Sequence, residues 1–397
     1  MYQKKHLILI ALVSAFLTLL VTLTAAPLLT KNSETAEGKL LRARDMIMEH
    51  YVDSLTPAQM EKMDDAAIGA MVASLGDPYS RYMNEASLSA YEEDKAEEYF
   101  GIGMEINFSG DTGEMLVTAA YDGSPAQKAG VMPKDRIVAV DEMVVSAETY
   151  NQIMAHIKDE NAKEGDEILL TIERGEEKRR LEIPVKRAKV AIQTVTSKML
   201  GNGIGFIRLS QFIHSTAEDF DAAVAELKNS GMRGLIIDLR SNPGGYASSV
   251  LSIADSVLPE GTIAYLEDNK GRREYFKSDE NELGLPMVVL INNGTASAAE
   301  LLAGSIKAYE LGTLVGEKSY GKALGQSVYP LTNRTALYLT HARYYTPKGE
   351  CIDKKGIEPD VFVELPEELY GRLPLLSVSE DPQLSRAVEL MLEKIGA

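Results

Sequence analysis

Cysteine is nearly absent: Cys351 is the one thiol in 397 residues. No intramolecular disulfide framework can staple this chain, and Cys351 has no catalytic partner near it in sequence, so it reads as a small packing residue. The five histidines show no metal-ligand spacing, and neither a metal nor any other cofactor is expected. Basic charge is in deficit, 41 Lys and Arg against 59 Asp and Glu. The resulting −18 at pH 7 argues against nucleic acid as a partner and against a polybasic lipid-binding surface. No internal repeat or low-complexity tract stands out. At this length, with 45% hydrophobic residues, the chain has material for two or three well-buried domains.

What is present is a hydroxyl and an amine set close in sequence. Gly294-Thr295-Ala296-Ser297-Ala298-Ala299-Glu300 precedes Gly321-Lys322-Ala323-Leu324-Gly325-Gln326. A serine attacks a carbonyl only when a base takes its proton, and lysine is a base only when neutral. Bringing a lysine from about 10.4 to about 7.5 disfavours its charged form by about 4 kcal/mol, which burial can supply. Val288-Val289-Leu290-Ile291 predicts a buried strand and Ala298 to Tyr309 a helix, so Ser297 falls at a strand-to-helix turn with free N–H groups for an oxyanion. Lys322 and Gln326 are four apart, on one face of either a strand or a helix, where the Gln326 amide can hold the lysine head.

Blander readings compete. Ser297-x-x-Glu300 is also a capping box, and Lys322 alone is an ordinary surface lysine. Gly316 to Lys322 matches a phosphate loop, but Ala323 stands where a magnesium-binding hydroxyl belongs and residues 327–346 alternate as strands where a helix should begin. His214 and His341 read as core-edge or loop residues rather than members of a triad.

The stretch from Gly205 to Gln326 resembles the catalytic core of the C-terminal processing peptidases, the serine peptidase family that includes tail-specific protease. The resemblance is carried by Phe206-Ile207-Arg208-Leu209-Ser210-Gln211-Phe212, by Leu235-Ile236-Ile237-Asp238-Leu239-Arg240-Ser241-Asn242-Pro243-Gly244-Gly245, and by the spacing from Ser297 to Lys322. It implies Ser297 as nucleophile, Lys322 as general base and Gln326 as its orienting partner. It also implies an oxyanion hole made by the N–H of Ala298 and that of a glycine, with Gly244 chosen over Gly245, although sequence does not say which points inward. Thr295 and Ala299 depart from the family's usual serines; the central serine is kept.

Between about Ala96 and Lys186 a second module appears. Gly101-Ile102-Gly103-Met104 opens a strand, a short capped helix is predicted over 123–131, a strand over 135–140 and an amphipathic helix over 147–158. This resembles a PDZ domain, in which the N–H groups of Ile102, Gly103 and Met104 would hold a peptide's terminal carboxylate while the peptide adds as a strand.

Lys4 and Lys5 precede an uncharged run from Leu7 to Thr30, long enough to span a bilayer. A retained single-pass anchor is expected, with the PDZ-like and peptidase domains on the extracytoplasmic side of the cell membrane; a cleaved signal peptide is the alternative. Residues 34–91 read as helix-rich, with apolar faces that need a partner, and in the resembling family this region often builds a homodimer. The expected organisation is an N-terminal stub and anchor over 1–33, a helical segment over 34–91, a PDZ-like domain over 92–187, a crotonase-like α/β peptidase core over 188–372 and a C-terminal helix over 373–397, a mixed α/β fold. The expected activity is serine endopeptidase cleavage of protein or peptide substrates with accessible C-termini. A silent PDZ scaffold and a Ser-His-Asp hydrolase are the alternatives.

Overall fold

The computed structural model describes residues 35–94, 97–159 and 162–396. The expected anchor lies outside them, and among the described residues no helix is long and apolar enough to cross a membrane. The chain divides into two compact units, with the boundary between Gly76 and Asp77.

The first unit holds the helices Ala36–His50 and Pro57–Ala73. Each starts on a threonine. Thr35 accepts the Gly38 N–H, and Thr56 forms a full capping box with Gln59, satisfying N–H groups that a helix start leaves open. Arg44 grips Asp64 with two bonds, 2.9 and 3.2 Å, fixing one helix against the other. Leu40, Leu41, Ile47, Met48 and Tyr51 are exposed, so the apolar face expected from the sequence is not consumed within the pair.

The second unit opens with a departure from the expected helical segment. Asp77-Pro78 ends the helical run, and Arg81–Met83 is a strand paired antiparallel with Ala336–Tyr345. Met83 is fully buried there. The partner strand and the core behind it override local helical preference, which resumes at Glu85–Asp94.

Next comes the PDZ-like module. Glu98–Gly101 and Ala188–Ala191 pair antiparallel as a two-stranded stem, and the residues between build a six-stranded sheet with the helices Pro125–Ala129 and Tyr150–Ile157. Alternation places Met115, Val117, Ile137, Leu170, Ile172 and Val185 in one core, closed by Ile153 and Ile157 from the second helix.

The peptidase core is built on another six-stranded sheet, in the order Val195–Met199, Ile204–Leu209, Gly234–Asp238, Met287–Ile291, Gly312–Gly316, Val361–Phe362. The first pair is antiparallel and the others are parallel. Its strands are apolar on both faces, as a doubly covered sheet requires. Ile207, Leu235, Ile237, Val289 and Ile291 pack beneath the helices Thr216–Asn229, Ala247–Val257 and Ala298–Ala308. Phe206, Ile236, Val288 and Leu290 face the C-terminal helix Pro382–Ile395. A second, five-stranded sheet contains Gly261–Asp268, Arg273–Ser278, Leu324–Pro330, Ala336–Tyr345 and the early strand Arg81–Met83.

Candidate active site

Three neighbouring parallel strands, ending at Asp238, Ile291 and Gly316, run into three adjoining loops at their carboxyl ends, where open α/β sheets place their ligands. The first loop carries Asn242 to Gly245, the second Ser297 and the third Lys322. Strand order alone brings these distant residues together.

Side chains then lock the loops to one another. Asn292 accepts the Ser241 N–H at 2.8 Å, and Asn242 O accepts the Ala296 N–H at 2.9 Å. Thr295, one of the departures noted in the sequence, is fully buried and donates its hydroxyl to Leu239 O at 2.8 Å while accepting the Asn292 N–H at 2.9 Å. Its backbone carbonyl accepts the Tyr320 N–H at 3.0 Å, reaching the third loop.

Ser297 begins its helix with φ 55° and ψ −118°. Positive φ is costly for a residue with a Cβ and persists only where the surroundings over-determine it. Here the Ser297 N–H donates to Glu300 Oε2 at 3.0 Å, the glutamate half of the capping box, and the buried Tyr344 hydroxyl donates to Ser297 O at 2.9 Å. The Ala298 N–H has no partner among the described residues, so a donor lies open beside the serine.

Gly244 is the glycine that nears Ser297: a Cβ on it would lie 2.8 Å from Ser297 Cβ and 2.9 Å from the Ala298 nitrogen. Its φ of 101° also needs glycine. Its own N–H, however, donates to Asn242 Oδ1 at 2.8 Å, whereas the Gly245 N–H has no partner among the described residues.

Lys322 is half-buried, and burial pushes its pKa down; Arg81 adds to this, while Asp77 and Glu300 oppose it. Its ammonium makes no ion pair among the described residues and lies 4.5 Å from the centroid of the Tyr79 ring. No hydrogen bond joins it to Ser297 or to Gln326. The Gln326 amide nitrogen donates instead to Thr340 Oγ1 at 3.2 Å. Sharing a face fails as an argument here because Lys322 precedes the strand Leu324–Pro330 and a bulge falls between Gly325 and Gln326.

Sequence reasoning missed the segment that covers Lys322. Asp77, Tyr79 and Arg81 read only as a helix breaker and the turn after it, yet they supply the ring and two of the charges around the amine. Burial alone would raise the Asp77 pKa, but bonds from Ser80, Thr340 and the Tyr79 and Ser80 amides hold it below the usual range. His214 stacks on Tyr246, with centroids 4.1 Å apart, and His341 sits on the strand Ala336–Tyr345. Neither is hydrogen-bonded to Ser297.

In the PDZ-like module the loop Gly101 to Met104 lies beside the helix end, a Cβ on Gly101 falling 3.6 Å from Ile157 O. The ring of Tyr99 rests on the loop, 2.6 Å from that same Cβ position. Burial pushes the Tyr99 phenol up, and the nearby backbone of Gly103 and Met104 partly offsets this. The Lys158 ammonium is 5.6 Å from the ring centroid. No signal in the sequence marked Tyr99.

Comparison with known proteins agrees with these parts. Peptidase family S41 matches residues 203–363, a PDZ domain matches 101–185, and the N-terminal domain of the activating protease CtpB matches 23–87. The carboxy-terminal processing protease CtpA of Bacillus subtilis (strain 168) is 32% identical over 372 residues, 93% of this chain and 78% of its own length. The carboxyl-terminal-processing protease of Synechocystis sp. is 34% identical over 352 residues, 87% of this chain and 80% of its own. Among solved structures, the photosystem II D1 C-terminal processing protease superposes with a TM-score of 0.53 at 29% identity, covering 89% of this chain and 94% of that one. Similarity on this scale, over nearly the whole chain, is decisive: the protein belongs to peptidase family S41, with the carboxy-terminal processing proteases, and is a serine-type peptidase carrying a PDZ domain.

Proposed function

We propose that Ser297 and Lys322 form the catalytic dyad of this peptidase. The observation that carries the reading is a half-buried lysine without an ion pair among the described residues, its pKa lowered by burial, on a loop adjoining the turn of a strained serine. Neutral Lys322 takes the Ser297 proton as the oxygen attacks the scissile carbonyl. The Ala298 N–H receives the developing oxyanion together with a glycine N–H from Gly244 or Gly245, of which Gly245 is the one without a partner among the described residues. Protonated Lys322 then gives its proton to the departing amine. Water attacks the acyl-enzyme, Lys322 takes a proton from it, and that proton returns to Ser297 as the new carboxyl terminus leaves.

In this reading the arrangement over Tyr79 is a resting one, and Lys322 swings to Ser297 when substrate is bound; catalytic hydrogen bonds are often loose before that. Gln326 supports the base from the neighbouring strand. Substrates are proteins whose C-terminal tails bind the PDZ domain through Ile102, Gly103 and Met104, beside the ring of Tyr99. The run from Leu7 to Thr30 anchors the enzyme to the cell membrane with its domains outside, and the exposed apolar face of the first unit pairs with that of a second copy.

Ser297→Ala and Lys322→Ala are each expected to abolish cleavage of a protein with a hydrophobic tail while leaving the melting temperature unchanged, because the pair acts as one unit. Near-normal turnover by the Lys322 variant would remove the dyad. For placement, a soluble mature form starting near Pro27 would replace the anchor with a cleaved signal.

A further inference from the structure

Glu300 is completely buried, and both its oxygens accept. Oε1 takes the Ser319 hydroxyl at 2.5 Å and the Gly321 N–H at 2.7 Å. Oε2 takes the Ser297 N–H at 3.0 Å and the Lys322 N–H at 2.8 Å. No Lys, Arg or His makes an ion pair with it among the described residues. A carboxylate serving only as a helix cap would need one of these contacts. One oxygen instead joins the backbone of the serine directly to the backbone of the lysine.

We propose that Glu300 is the positioning residue of this peptidase, holding the nucleophile's turn and the base's loop in register through its shared carboxylate. The inference rests on the Ser297 and Lys322 reading. Burying a carboxylate is costly unless its lone pairs are met, and here the donors come from two segments that meet only in the folded core. Pulling either segment away would leave a buried acceptor unmet, so each resists movement of the other. The same contact holds Ser297 at its positive φ.

Amidation cannot reproduce this. In Glu300→Gln one acceptor oxygen becomes an NH2 group, facing either the Ser297 and Lys322 N–H groups or the Ser319 hydroxyl and the Gly321 N–H, so on either side at least one N–H loses its acceptor. Glu300→Asp keeps the charge but falls short by one methylene.

The test uses the full-length enzyme and compares kcat, KM and the pH dependence of kcat for wild type, Glu300→Gln and Glu300→Asp. Both variants are expected to lose on the order of 10²-fold in kcat, the scale of a misplacement of about 1 Å, with KM little changed because Glu300 touches no substrate. The charged groups facing Lys322 are Asp77, Arg81 and Glu300, with the Tyr79 ring beside them. Removing the Glu300 charge makes the amine easier to deprotonate, so the rising limb of Glu300→Gln should move to lower pH. That of Glu300→Asp should stay nearer wild type.

Wild-type kcat in either folded variant would overturn the proposal. So would a kcat loss in Glu300→Gln with an unmoved limb, which a structural cap alone would give. If the amide variant fails to fold, the aspartate decides through its kcat-against-KM split. Loss of the dyad reading itself would be seen separately, as retained activity in Ser297→Ala or Lys322→Ala.

Discussion

At the scale of single residues, Lys322 owes its lowered pKa first to burial, with charges on the early segment acting beside it, and the proposed dyad makes these charges set the limb of its pH profile. Arg81 disfavours the ammonium and Asp77 favours it. Arg81→Gln should therefore raise the pKa of the amine and move the rising limb of cleavage to higher pH; Asp77→Asn should move it to lower pH. Shifts in the same direction, read from rate profiles between about pH 5 and 9, would mean that these side chains do not act on Lys322 by charge. The sequence singled out the serine and the lysine of the proposed dyad, because motif and spacing are local. It half revealed Glu300, whose cap on Ser297 lies three residues away, but not its reach to Ser319, Gly321 and Lys322. Gln326 shows the opposite limit, since counting four residues assumes a regular element and the chain has a loop and a bulge there.

At the scale of elements, the loop Gly101 to Met104 has a neighbour that the sequence did not show, the ring of Tyr99. Replacing Gly103 does not cleanly test peptide binding: its φ is 75°, and a Cβ would run into Ser124 Cβ and lie 2.9 Å from Val190. Such a variant should weaken the module itself. Tyr99→Phe is the better probe. Without the phenol oxygen, the Gly103 and Met104 N–H groups should bind a free-acid tail more tightly, by about 1 kcal/mol or roughly fivefold, one hydrogen bond's net worth. Calorimetry in a Ser297→Ala background measures this, with the amidated peptide as control, and unchanged affinity for the free acid would show that the hydroxyl does not compete. The secondary structure around the loop was legible, down to the short helix capped by Ser124. The tyrosine was not, because its significance lies in where its ring folds back.

At the scale of the whole molecule, the C-terminal helix expected within 373–397 runs over Pro382–Ile395, yet the contacts that fasten it were hidden. Arg240, buried to 1% exposure at the end of a core strand, bonds both oxygens of Asp238 and reaches Asp381 and Gln383 at 3.0 Å each. Asp381 also caps the helix by accepting from the Gln383 and Leu384 N–H groups. Asp381→Ala leaves Arg240 its pair with Asp238 but removes a buried acceptor and the helix cap together, so it should cost about 1 to 3 kcal/mol and lower the melting temperature. An unchanged melting temperature would show that the clamp is not what holds the helix. Residues 141 apart in sequence leave no periodic trace of such a contact. The same holds for the strand at Arg81–Met83, whose partner lies on the far side of the PDZ domain in sequence.

The PDZ domain thus interrupts the peptidase, and the interruption is useful for engineering. The chain starts the peptidase, leaves through Glu98–Gly101, builds the PDZ domain and returns through Ala188–Ala191, with Glu98 opposite Ala191 and Gly101 opposite Ala188. Entry and exit are adjacent, and the domain behaves as a cassette plugged into a two-pin socket. Exchanging residues 102–187 for another PDZ domain, with the stem kept, should redirect the protease to new tails without altering its catalytic chemistry.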